Sequence, residues 1–207
     1  MSMLVKFRAV AVLGAAALLL AGCSKGSESG ALSVAWVKER AKETGTGGAP
    51  KCPVKYDIVA AAKASGYSGR AGTRPDEPVA TGEFDGSADS PLRRADGALL
   101  DCVYWINSQK LHAYTVAAGK GAALNLLAPV VQRDAGMSTD ALVAWLGTAA
   151  KAERGVPVPT PGDTVVSVRL PVSGPGDATL VVSLGENAKA DPQLERLAKE
   201  LGTQAGT

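Results

Sequence analysis

Imidazole and thiol groups are scarce in this 207-residue chain: one histidine, His112, and three cysteines, Cys23, Cys52 and Cys102. A single imidazole excludes multi-histidine metal sites. Three cysteines exclude zinc ribbons and multi-disulfide scaffolds. A hydrolytic triad would need His112 beside a hydroxyl and an acid. The segment Gly66-Tyr67-Ser68-Gly69 offers a serine but lacks the GxSxG spacing and the preceding strand of a nucleophile elbow. Ser-x-x-Lys, HExxH and a phosphate-binding glycine loop are absent. Asp76-Glu77 and the acids from Asp85 to Asp89 do not follow EF-hand spacing; they read as solvated loop acids, with a loose calcium site as the alternative. Arg70, Arg74, Arg93 and Arg94 fall in the same stretch, where they either meet phospholipid heads or a cell-wall polymer or are balanced by the neighbouring acids. The remaining candidate binding surface is Trp105, Tyr104, Tyr114 and His112. Opposite parity sends Tyr104 and Trp105 to different faces of a strand, so either ring marks a recognition surface if exposed and simple packing if covered.

The N-terminal 22 residues are organised as an export signal. Lys6 and Arg8 form a short positive region, and an uncharged apolar run follows from Ala9 to Ala21. Thirteen residues are too few for a membrane-spanning helix, which needs about 20. The run closes in Leu20-Ala21-Gly22-Cys23, which resembles the bacterial lipobox, in which the cysteine accepts a diacylglycerol and becomes residue one after cleavage. Two acyl chains, each worth ~0.8 kcal/mol per buried methylene, suffice for stable anchoring. The expected organisation is a leader over 1–22, a lipidated Cys23 with a flexible tether and short helix over 23–50, and one extracytoplasmic domain over 51–207.

Processing neutralises the chain. The 22 Lys plus Arg fall to 20 once Lys6 and Arg8 leave, against 20 Asp plus Glu. No clustered basic face remains, so no nucleic-acid partner is expected. Removing Cys23 also leaves an even pair, Cys52 and Cys102, in an oxidising compartment, where a disulfide is the natural outcome.

The elements that must position these residues follow from periodicity. Hydrophobic residues make up 46% and aromatics only 4%, so the core is built mainly from Ala, Val and Leu. Residues 31–44 form a helix that either docks on the domain or lies on the membrane with Trp36 at the interface. Pro53 to Ser65 predicts a second helix ended by Gly66. Pro78 to Phe84 is a short strand. Leu99 to Ile106 and Lys110 to Ala117 are the clearest strands, joined by Asn107-Ser108-Gln109. Ala122 to Arg133 reads as a helix kinked at Pro129, and Ser138 caps another through about Ala152. Thr164 to Leu170 and Thr179 to Leu184 alternate as strands. Asp191-Pro192 opens a last helix with Gly202 beyond its end. Hairpin-linked strands and helices in blocks predict an α+β fold, a twisted antiparallel sheet with helices packed mainly on one face.

Lipobox, polar tether, Cys52-Pro53 before a helix, and Cys102-Val103-Tyr104-Trp105 in an aromatic strand together resemble small actinobacterial cell-envelope lipoproteins. The resemblance implies a place on the outer face of the cell membrane and an α+β domain, PsbP-like in some members. It implies no assigned activity. No cofactor and no catalytic residue are expected. The reading is a non-catalytic module that binds an envelope protein, lipid or polymer. Its alternatives are a lipid or glycolipid carrier with an apolar cavity, and an envelope hydrolase dependent on His112 or Ser68.

Overall fold

The computed structural model describes residues 32–83 and 89–206. The leader, Cys23, the polar tether, Phe84 and Asp85 lie outside the described residues. The fold is built on a hairpin of two ten-residue strands, β3 (Gly97–Ile106) and β4 (Gln109–Ala118). Asn107 and Ser108 close it with positive φ of 50° and 70°, the two-residue turn whose twist matches flanking strands. Gln109 thus belongs to the strand and pairs with Ile106.

Around this hairpin runs a seven-stranded antiparallel sheet. Short strands β1 (Ala71–Gly72) and β2 (Ala80–Glu83) both pair with β3. Beyond β4 come β7 (Asp177–Ser183), β6 (Val165–Arg169) and β5 (Pro157–Pro159). The strand β5 has no counterpart in the sequence reading. Two of its three residues are prolines, which lack the ladder donor and are tolerated at a sheet edge.

The sheet buries apolar side chains on both faces, and the fold is α+β. The larger helical layer, α1 (Val34–Thr44), α2 (Ile58–Ala64) and α6 (Leu194–Ala205), packs on the first face against Leu100, Cys102, Leu111, Leu180 and Val168. A smaller layer lies on the second face: a 3-10 turn (Ala123–Leu127), α4 (Ala128–Ala135) and α5 (Thr139–Ala149), packed on Val116, Val165 and Val181. The alternation in Thr179 to Leu184 does not mark a solvent face: β7 is buried on both sides, with Leu180 and Val182 in the first-face core and Val181 in the second. Pro129 opens α4 rather than kinking a longer helix, because a proline at a first-turn position loses no hydrogen bond.

The helix over 34–44 docks. Ser33 caps it by accepting from the Trp36 amide, and Val34, Val37 and Ala41 are buried. Its contact with β2 is backbone against backbone: a Cβ on Gly82 would stand 2.2 Å from the Ala41 carbonyl oxygen. This helix is therefore part of the core, and the folded unit reaches upstream of residue 51 to Leu32. The second helix starts at Ile58 rather than Pro53, since Asp57 accepts from the Ala60 amide at 2.9 Å and caps it there. Gly202 lies inside α6, not beyond it. A Cβ there would meet Val168 Cγ1 at 2.9 Å, so glycine lets α6 lie close on β6.

Cys52 and Cys102 form a disulfide with Cα atoms 5.6 Å apart. It ties the segment between α1 and α2 to the middle of β3.

The tyrosines supply a pH prediction. The chain has four, Tyr56, Tyr67, Tyr104 and Tyr114, and burial is the main cause pushing each phenol upward. Tyr67 is raised further because its hydroxyl donates to the Asp191 carboxylate at 2.7 Å. A phenol held neutral in the fold contributes stability below its unfolded pKa of about 10 and loses it as pH rises. Ultraviolet titration should show no phenolate near that value, then all four ionising together with alkaline unfolding. A tyrosine titrating near its free value in the folded protein would contradict the burial described.

Candidate functional site

Strand parity gathers a polar and aromatic group on the second face. Asp101, Val103 and Trp105 of β3 face the same way as Lys110, His112 and Tyr114 of β4, with Asp101 opposite Tyr114, Val103 opposite His112 and Trp105 opposite Lys110. The 3-10 turn, α4 and α5 sit mainly over β4, β7 and β6. The half of β3 from Asp101 to Trp105 is left partly exposed.

His112 Nδ1 lies 2.9 and 3.0 Å from the two Asp101 carboxylate oxygens, and its ring stacks on Tyr114 with centroids 5.3 Å apart. The carboxylate engages Nδ1 and leaves Nε2 as the ring nitrogen for another partner. Behind this pair, Asp134 is only 3% exposed and accepts from the Ser183 hydroxyl at 2.7 Å and from Arg133 Nε at 2.8 Å. Ser183 stands opposite His112 in the β4–β7 register, but its proton goes to Asp134. Ser68 lies exposed between α2 and β1, and among the described residues no hydrogen bond joins it to His112. The arrangement can hold or pass a proton at His112, or hydrogen-bond a ligand there.

At the far end of β3 the Arg74 guanidinium lies 3.3 Å from the centre of the Trp105 ring, a close cation–π contact. Beside them opens a cleft of about 630 Å³ lined by Arg70, Gly72, Arg74, Trp105, Asn107 and Ser108. Lys110 pairs with Glu77 at 3.7 Å. Arg93 and Arg94 are elsewhere, in the short helix α3 (Pro91–Arg94) ahead of β3. The four arginines of the sequence stretch thus divide between two places.

Of the four candidate surface residues, Trp105, His112 and Tyr114 share the second face, although Tyr114 is itself only 7% exposed. Tyr104 does not belong with them: it is 3% exposed in the first-face core, where parity places it among Cys102 and Ile106. Sequence reasoning missed Asp101, whose parity with Trp105 was a usable signal; it named Arg74 among the loop arginines, but nothing in the sequence joins that loop to Trp105. Among the described residues no three or more His, Cys, Asp or Glu are placed to hold a metal ion, and no helix is long and apolar enough to cross a membrane.

No family model, characterised protein or solved structure matches this chain.

Proposed function

We propose that this chain is a lipid-anchored module on the extracytoplasmic face of the cell membrane, binding an envelope ligand or partner without catalysing a reaction. Leu20-Ala21-Gly22-Cys23, at the end of a short uncharged apolar run behind Lys6 and Arg8, carries the anchoring. The Cys52–Cys102 disulfide supports export, because such bridges persist in oxidising compartments and are rare in reducing ones. The uncovered half of the second face, with Trp105, Arg74 and the Asp101–His112 pair, supplies the recognition surface.

Fractionation tests the anchor. The wild-type protein partitions with the membrane, and a Cys23→Ala variant appears in the soluble extracytoplasmic fraction, because the remaining chain has no second acyl group to hold it. Equal membrane retention of both would contradict the proposal.

A further inference from the structure

We propose that the cleft at the β3–β4 turn is a binding site for a phosphate ester, with Arg74 as its main ligand and Arg70 as its second. Three observations on the same spot carry this. First, Arg74 is held: its guanidinium carbon lies over the Trp105 ring, 3.3 Å from the ring centre, which places the planar donor fork before any ligand arrives. A pre-oriented fork suits bidentate contact with an oxyanion such as phosphate.

Second, the cleft's cations are unspent. Among the described residues neither Arg70 nor Arg74 has an ion-pair partner, and both line the cleft. Glu77, in the same loop as Arg74, pairs with Lys110. Third, the indole that supports Arg74 carries a buried N–H, Nε1, with no acceptor among the described residues. A buried unpaired donor at a cleft is uncommon in a folded protein. Two guanidinium groups, the polar Asn107 and Ser108, and an unpaired indole donor all favour an acceptor-rich anion over an apolar molecule.

The position of the cleft narrows the source. The chain enters the domain at the opposite end of the hairpin: the Leu32 carbonyl accepts from the Ser173 amide, and Val34 packs beside Gly176 next to Ala118. The ten residues of β3 separate that end from the cleft by about 30 Å. With the anchor at Cys23, the cleft stands at the end of the domain farther from where the chain enters it, which favours a phosphate on a soluble molecule or an envelope polymer over one on the anchoring leaflet. This orientation rests on the anchoring proposed above; the ligand chemistry does not.

The experiment follows the Trp105 indole N–H resonance of the full chain in neutral detergent, assigned with Trp105→Phe, during titration with glycerol phosphate, with glycerol as control. The expected result is a saturable shift with an affinity tighter than about 1 mM, absent with glycerol. Arg74→Ala and Arg70→Ala should each weaken binding at least tenfold on the order-of-magnitude scale of one lost charged contact. Arg74→Lys, which keeps the charge and loses the fork, should also weaken it. No saturable shift with either glycerol phosphate up to about 10 mM or phosphatidylglycerol-doped micelles, or unchanged affinity in Arg74→Ala, overturns the site. A response to micelles doped with phosphatidylglycerol but not to glycerol phosphate assigns a lipid headgroup and overturns the outward orientation while keeping the phosphate class. Membrane fractionation of Cys23→Ala reads the anchor separately, so the two proposals fail independently.

Discussion

Replacing Cys52 and Cys102 together by alanine should lower the unfolding free energy by about 4 kcal/mol, read as a lower denaturant midpoint with a steeper slope, because the unfolded chain without the cross-link exposes more surface. The bridge spans a sequence separation of 50 residues. Cross-linking a loop of that size removes roughly that much chain entropy from the unfolded state. Net stabilities of domains are about 5–15 kcal/mol, so the loss is a large fraction of the whole. The bridge joins the segment between α1 and α2, which carries Cys52, to Cys102, fully buried in β3. The reduced wild-type protein should behave like the double variant. A loss below about 1 kcal/mol in both would mean that the unfolded chain keeps these segments together without the bond.

The second large effect is expected at Gly82. Introducing valine there puts a Cβ against the Ala41 carbonyl oxygen and Cα, at 2.2 and 2.7 Å, both backbone atoms that cannot rotate away. Either α1 lifts from the sheet or β2 separates from β3, where it pairs through Ala80 with Cys102 and through Gly82 with Leu100. Overpacking of this kind costs about 1–3 kcal/mol and sometimes more. Hydrogen exchange should show the α1 amides losing protection first. Glu83→Val, one residue on and exposed, should change stability by only about 0.5 kcal/mol. Equal effects at the two positions would contradict the docking of α1, and with it a tether that ends before Leu32.

Much of this architecture is legible in the residues themselves. The β3–β4 hairpin, the Ser138 cap and the disulfide follow from alternation, capping chemistry and cysteine parity. The second helical layer is less legible because β7 and the C-terminal half of β4 are buried on both faces, so alternation there does not tell a covered face from a solvent-exposed one. Pro129 and Gly202 mislead for one reason: both residues usually interrupt helices, yet here one begins a helix and the other permits close packing inside one.

The candidate site was hidden by one residue of register. A three-residue turn at Asn107-Ser108-Gln109 would set His112 opposite Tyr104. The actual two-residue turn sets it opposite Val103 and diagonal to Asp101, on the second face. A slip of one residue exchanges faces, so the Asp101–His112 pair could not be read until the turn was fixed. The Arg74–Trp105 contact joins a loop to a strand, and no periodic pattern connects the two.

Intact-mass analysis of the protein isolated from its native membrane tests the central claim most directly. A polypeptide that starts at Cys23, carries the added mass of a diacylglyceryl group and lacks two further hydrogens for the Cys52–Cys102 bond is the predicted species. A chain recovered from the cytosol with residues 1–22 attached and three free thiols would contradict it.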